Sequence, residues 1–138
     1  MLKKIALSVA LTILATGTAL AARYIEPQQL KLLIERKDPV MLLDIQPATD
    51  FEQHHLPGSI ETNAFPAKSD QEKKRLDKIV PVINASDGPV VVICPRGRKG
   101  AKNSYDYLIS KGVPESRLQI LQDGIAGWPH KELLVKGR

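Results

Sequence analysis

One stretch decides the fold of this chain: Val90-Val91-Val92-Ile93-Cys94-Pro95-Arg96-Gly97-Arg98-Lys99-Gly100-Ala101. Its four consecutive β-branched residues lie between prolines and predict a strand that is buried on both faces. Beyond Gly100 the apolar residues follow the spacing of an amphipathic helix: Ala101, Tyr105, Leu108 and Ile109. Cys94 therefore lies at the carboxyl end of a predicted core strand and just before a helix, which is where open α/β sheets bind their ligands.

The residue types around Cys94 indicate a reactive thiol. A nearby helix amino terminus and the cations of Arg96, Arg98 and Lys99 are expected to lower the pKa of the thiol. Two glycines, Gly97 and Gly100, allow the loop after Pro95 to curl so that successive amides point inward as an anion-binding nest. Such a nest suits a thiolate, a persulfide or a small oxyanion. The alternative is a buried structural cysteine, because free cysteines are among the most buried residues.

Composition limits the classes of function. A chain of 138 residues with 43% hydrophobic residues has room for one domain with a core. The net charge of +5 is spread along the chain, and no basic run is interleaved with aromatic residues, so a nucleic-acid partner is not expected. Small anionic molecules fit better, because a cluster of three cations lies beside Cys94.

Residues 1–21 have the pattern of a signal peptide. Lys3 and Lys4 precede an apolar stretch from Ile5 to Ala15, and Ala19-Leu20-Ala21 supplies the small residues that a signal peptidase requires. We expect cleavage after Ala21, export to a periplasm, and no stable membrane anchor after cleavage; an uncleaved anchor is the alternative. In an oxidising compartment a lone cysteine cannot form an internal disulfide, which leaves a reactive thiol, an intermolecular partner or a buried bystander.

The rest of the chain alternates predicted strands and helices. Strands are expected at 23–25, 40–43 and 118–121, and helices from Pro27 onward, over 48–53 and over 71–80, with Pro81 stopping or kinking the last of these. Trp128 is expected to fill the core. The pattern predicts one three-layer α/β domain over residues 22–138, with a mainly parallel central sheet and helices on both faces. His54 and His55 lack further ligands at metal-binding spacing, so neither a metal nor another cofactor is expected.

Four motifs, in order, resemble the single-domain rhodaneses over essentially the whole mature chain: Leu43-Asp44-Ile45, Phe51 followed by His55-Leu56-Pro57-Gly58-Ser59-Ile60, the apolar strand into Cys94, and Gly124-Ile125-Ala126-Gly127-Trp128. The resemblance implies a sulfurtransferase in which Cys94 accepts sulfane sulfur as a persulfide. The donor would be a small sulfur anion such as thiosulfate or polysulfide, and the acceptor cyanide, a thiol or a protein. The resemblance also implies that Pro95 to Lys99 form the loop facing the sulfur and that Asp44 supports the site.

Other functions remain open at this point. Cysteine phosphatases and arsenate reductases of similar fold have a longer loop of the pattern Cys-x5-Arg. Here Lys99 stands five residues after Cys94 and Gly100 stands six after, which favours the smaller, sulfur-sized loop. A sulfane-sulfur carrier or interaction module without turnover is the second alternative. Lys99 and Gln46 occupy positions where the family commonly has arginine, and a lysine cannot make the planar bidentate contact of an arginine.

Overall fold

The computed structural model describes residues 21–138, so most of the predicted signal peptide lies outside the described residues. The strands are β1 (Tyr24–Ile25), β2 (Met41–Asp44), β3 (Ile60–Glu61), β4 (Val90–Ile93) and β5 (Leu118–Leu121). The helices are α1 (Pro27–Glu35), α2 (Ala48–Gln53), α3 (Asp70–Asp77), α4 (Val80–Asn84) and α5 (Lys99–Ser110). None of the helices in this described part of the chain has the length and apolarity needed to cross a membrane.

The five strands form one parallel sheet in the order β1-β5-β4-β2-β3. The predicted α/β fold with a mainly parallel sheet is therefore confirmed. All four residues of β4 are fully buried, because this strand has neighbours on both sides and helices over both faces. In a parallel sheet every strand ends at the same edge, so the segments that follow β2, β3, β4 and β5 meet around Cys94.

Side-chain alternation divides the core into two layers. On one face Leu43, Val92 and Cys94 pack against α3, α4 and α5. On the other face Leu42, Val91 and Ile93 pack against Leu30 of α1 and against Trp128. Trp128 is 1% exposed, as expected for a residue that fills the core.

The single helix predicted over 71–80 is wrong. The structure has two helices there, because α3 ends at Asp77 and α4 begins at Val80. Pro81 lies in the first turn of α4, where its missing N–H costs no hydrogen bond. Ser69 caps α3 by accepting from the backbone N–H of Glu72 at 3.1 Å.

Candidate active site

Cys94 directly follows β4 and lies at the bottom of a surface cleft. The residue is only 1% exposed, and its Sγ atom accepts a hydrogen bond from the backbone N–H of Gly97 at 2.7 Å. Gly97 has φ +68°, a left-handed conformation that glycine adopts without strain and that turns its amide toward the sulfur. A Cβ atom at Gly97 would also lie 2.8 Å from the carbonyl oxygen of Leu121, so the position has no room for a side chain.

The electrostatic environment of the thiol differs from the sequence-based expectation. Burial raises the pKa of Cys94 above its ordinary value, and the opposing effect of the amides of Gly97, Arg96, Arg98 and Ala101 is smaller. The expected lowering of the Cys94 pKa is therefore wrong. Its physical reason is desolvation, which disfavours the charged thiolate more than the surrounding N–H groups favour it. Pro95 supplies no N–H to this set.

The turn after β5 holds the cysteine loop in place. Ile125 donates its backbone N–H to the carbonyl oxygen of Cys94 at 3.0 Å, and Ala126 donates to that of Pro95 at 2.9 Å. Gly124, with φ +62°, lies so close that a Cβ atom there would be 2.6 Å from the amide nitrogen of Arg96. These two hydrogen bonds tie the first carbonyl groups of the loop to the turn, while the amide of Gly97 faces Sγ.

The cleft above Cys94 has a volume of about 580 Å³. Its lining includes the loop residues Pro95, Arg96, Arg98, Lys99 and Gly100 and also five residues that the sequence did not indicate: Asp50, Phe65, Pro66, Lys68 and Asn103. Asn103 lies on α5, directly after the cysteine loop, whereas the other four come from α2 and from the segment after β3 and are brought to Cys94 by the sheet topology. No local pattern in the sequence marks them.

One wall of the cleft is built from the Phe65–Pro66 segment. Asn103 of α5 donates its side-chain N–H to the carbonyl oxygen of Pro66 at 3.0 Å and so fixes this segment to the helix. The ring of Phe65 packs directly on Gly100, where a Cβ atom would collide with it. Gly100 is thus required by close packing, and the close packing sets the distance between the wall and the amino terminus of α5.

Asp44 lies on the face of the sheet opposite to Cys94, since it alternates with Leu43 and Ile45 of the other core layer. Its carboxylate accepts from the backbone N–H of Gln46 at 2.8 Å and from the Gln46 side-chain amide at 3.0 Å. The same amide donates to the carbonyl oxygen of His54 at 3.0 Å. These bonds hold the chain that follows β2, and the cysteine loop takes no part in them.

Burial raises the pKa of Asp44 from 3.8 to about 6, and the hydrogen bonds from Gln46 oppose this increase only in part. Asp44 is fully buried, and its hydrogen-bond partner Gln46 is neutral. A guanidinium at position 46 would instead offset the cost of burying the carboxylate. With the neutral Gln46 as its partner, Asp44 is close to the protonated state at moderately acidic pH.

His55 is held by contacts with Phe51 in the structure. The ring of His55 stacks on Phe51 with a centroid distance of 3.9 Å, and its Nδ1 atom lies 2.9 Å from the Phe51 carbonyl oxygen. Across residues 21–138 no group of three or more His, Cys, Asp or Glu side chains is placed to hold a metal ion.

Solved structures of proteins that are named for different activities share this fold. A yeast protein tyrosine phosphatase of the rhodanese family is 14% identical, with a TM-score of 0.65 over 88% of this chain and 96% of its own. The As-Sb reductase from Leishmania major is 14% identical, with a TM-score of 0.67 over 84% and 86% of the two chains. The thiosulfate sulfurtransferase from Pseudomonas aeruginosa is 18% identical, with a TM-score of 0.61 over 85% of this chain and 20% of its own.

At such identities the structures establish the fold and leave the reaction open. No curated protein sequence matches this chain significantly. The rhodanese-like domain family matches residues 26–131, which cover every strand from β2 to β5 and all five helices. This chain therefore belongs to the rhodanese-like domain family.

Proposed function

We propose that this protein is a sulfurtransferase that carries sulfane sulfur as a persulfide on Cys94. The observation that carries the proposal is the position of Sγ, at the bottom of a cation-lined cleft and within hydrogen-bond distance of the Gly97 amide. A group of inward-facing N–H donors stabilises negative charge on sulfur without a metal ligand set.

The reaction proceeds by double displacement. The Cys94 thiolate attacks the outer sulfur of thiosulfate or a polysulfide, the donor S–S bond breaks, and sulfite or the shortened polysulfide leaves with the electron pair. Because burial raises the thiol pKa, the proton of Cys94 must leave to solvent or to the donor before this attack. An acceptor then removes the outer sulfur, and the electron pair of the broken bond returns to Cys94 Sγ.

Each loop residue has a proposed role in substrate binding. Arg96, Arg98 and Lys99 are exposed at the rim of the cleft and attract the anionic donor. Gly97 permits the backbone path that brings its amide to the sulfur, Gly100 leaves room for the Phe65 ring at the wall of the cleft, and Pro95 sets the direction in which the chain leaves β4. Asp44 supports the site indirectly, through the segment that contains Gln46.

A carrier that is loaded once and delivers its sulfur to a single partner needs the same persulfide, so it remains the second candidate. Phosphatase or arsenate reductase activity is less well supported, although structures with those names share the fold. The five-residue spacing from Cys94 to Lys99 leaves a shorter loop than the Cys-x5-Arg pattern of those enzymes.

The decisive experiment is intact mass spectrometry after incubation with thiosulfate or polysulfide. We expect a gain of one sulfur atom in the protein and none in Cys94→Ser, whose circular dichroism should be unchanged. Repeated turnover with cyanide as acceptor identifies an enzyme, whereas a single stoichiometric release identifies a carrier. Sulfur loading of Cys94→Ser, or hydrolysis of a phosphate ester by a protein that never loads sulfur, would refute the proposal.

We also propose that residues 1–21 are removed as a signal peptide and that the protein acts in the periplasm. Cleavage after Ala21 leaves β1, which begins at Tyr24, and the region matched by the family, which begins at residue 26, intact. The test is the intact mass of the protein recovered from a periplasmic fraction. A chain beginning at Ala22 supports export, and a full-length chain in the cytoplasmic fraction contradicts it.

A further inference from the structure

A second depression, of about 300 Å³, adjoins the Cys94 cleft and shares Asp50 and Pro95 with it. Cys94 does not line this second depression. Its volume lies at the lower end of the range for sites that bind small organic molecules. We name it the Gln46 pocket, and the residues that line it include Gln46, Asp50, Ile125, Ala126, Lys131 and Leu134.

Gln46 is the buried polar side chain of this pocket, with only 3% of its surface exposed. Its amide nitrogen donates to the Asp44 carboxylate and to the carbonyl oxygen of His54, each at 3.0 Å. Because a carbonyl oxygen can only accept, the amide nitrogen must face His54, and the orientation of the amide is fixed. Both side-chain N–H groups are then used within the protein.

The oxygen of the same amide is left for a ligand. Gln46 Oε1 has no hydrogen-bond partner among residues 21–138. In that part of the chain, Asn63 Oδ1 is the only fully enclosed side-chain polar atom that lacks a partner, so Gln46 Oε1 reaches the open pocket. The pocket therefore offers a fixed acceptor in a mostly buried place, where a hydrogen bond from a charged donor is strong.

Two opposite charges stand at the same pocket. Asp50 of α2 is half-buried, and Lys131 is exposed on the segment after Trp128. The salt bridges within residues 21–138 involve neither of them. A simple amine would be attracted by Asp50 and repelled by Lys131. A ligand that carries an ammonium group and a carboxylate can pair with both.

Much of the remaining wall is apolar and is formed by Pro95, Ile125, Ala126 and Leu134. These side chains can cover an aliphatic group of a ligand and remove it from water. Ile125 and Ala126 also donate the backbone N–H groups that hold the carbonyl oxygens of Cys94 and Pro95. A ligand in the pocket thus lies against the joint between the turn after β5 and the cysteine loop.

We propose that the Gln46 pocket binds a free aliphatic α-amino acid. Gln46 Oε1 and the Asp50 carboxylate bind its ammonium group, and Lys131 binds its carboxylate. Ile125 and Leu134 contact its aliphatic side chain. Binding at this pocket is non-covalent and does not require sulfur on Cys94, so it stands or falls separately from the proposed sulfurtransferase.

The test is a ¹H–¹⁵N NMR titration of the purified protein with L-leucine. We expect saturable shifts of the Gln46 side-chain amide and of the Ala126 backbone amide, with a Kd on the order of 1 mM. Two analogues of leucine each lack one charge. 4-Methylpentanoate, without the ammonium group, should bind at least about tenfold more weakly. 3-Methylbutylamine, without the carboxylate, should bind up to about fivefold more weakly.

Variants test the ammonium end of the site. Gln46→Arg can still donate to Asp44 but replaces the free acceptor by N–H donors, so it should lower the affinity for leucine at least about tenfold. Asp50→Asn should lower the affinity up to about fivefold. The matched control is Glu52→Gln, which removes an exposed carboxylate from the same helix outside the pocket and should leave the affinity unchanged.

Lys131→Gln tests the carboxylate end. It should weaken leucine binding up to about fivefold and leave 3-methylbutylamine unchanged or improved. Its control, Lys136→Gln, removes an exposed cation of the same segment outside the pocket and should change neither. Equal binding of leucine and its two analogues would overturn the proposal. The absence of saturable shifts, or shifts at the amides of Gly97 and Gly100 in place of Gln46, would overturn it as well.

Discussion

Gly124 packs so closely against Cys94 that a side chain at Gly124 would collide with the Cys94 carbonyl oxygen. The two residues belong to different connections, one after β5 and one after β4, and they are joined by the hydrogen bond from the Ile125 N–H to the same carbonyl oxygen. The shape of the cysteine loop therefore depends on a turn about 30 residues further along the chain.

We expect Gly124→Ala to destabilise the protein and to abolish sulfur loading. The substitution adds a left-handed backbone penalty of about 1–2 kcal/mol and a collision that displaces the loop. Gly58→Ala is the matched control, because Gly58 also has a positive φ but a Cβ atom there meets nothing within 4 Å. Urea denaturation should show a clearly larger loss of unfolding free energy for Gly124→Ala than for Gly58→Ala. Mass spectrometry should show normal sulfur loading of Cys94 in Gly58→Ala. Equal stability and loading in the two variants would contradict the packing argument.

Because Phe65 packs on Gly100, the effect of Gly100→Ala on the free energy of unfolding should change sign when Phe65 is replaced by alanine. Gly100→Ala alone should lower the free energy of unfolding by about 1–3 kcal/mol, because its Cβ atom collides with the Phe65 ring. In a Phe65→Ala background the collision is removed, and the same substitution inside α5 should be neutral or stabilising by up to about 1 kcal/mol. A double-mutant cycle measured by denaturant unfolding checks this, and additive effects would disprove the contact.

The raised pKa of Cys94 predicts the pH dependence of its reactivity. The thiolate is the reactive form, and a higher pKa lowers its fraction at neutral pH. The rate of alkylation by iodoacetamide should therefore reach half its maximum above pH 9.0, the ordinary value for the thiol. Cys94 is the only cysteine, so the measurement has no background, and Cys94→Ser should not react. An inflection below pH 8 would show that the amides outweigh burial.

Asp44 predicts a pH dependence of stability. Folding raises the pKa of Asp44 from 3.8 to about 6. The contribution of this shift to the free energy of unfolding is therefore fully present below pH 3.8 and is lost as the pH rises through about 6. The loss amounts to about 3 kcal/mol at 1.36 kcal/mol for each pH unit. The difference in unfolding free energy between the wild type and Asp44→Asn should change by this order between pH 4 and pH 7. A difference that stays constant between pH 4 and pH 7 would contradict the burial of a charged Asp44.

Local sequence patterns were sufficient for four of the five strands, for α1, α2 and α5, and for the position of Cys94 at the end of β4; the two-residue strand β3 was not predicted, because so short a segment carries no alternation. Four β-branched residues, the apolar spacing after Gly100 and the glycines of the loop are signals within short segments, so a single reading of the chain finds them. The break between α3 and α4 was missed, because Pro81 can end one helix or begin another, and the packing of Ile79 and Ile83 on the core decides between the two.

The sequence by itself determined the order of elements, the fold class and the surroundings of Cys94 in its own loop, because these depend on residue types close together in the chain. Only the tertiary structure decided the direction of the Cys94 pKa shift, the face of the sheet on which Asp44 lies, and the entry of Asp50, Phe65 and Lys68 into the cleft. Burial and strand register decide those features, and both arise from contacts between segments far apart in the sequence.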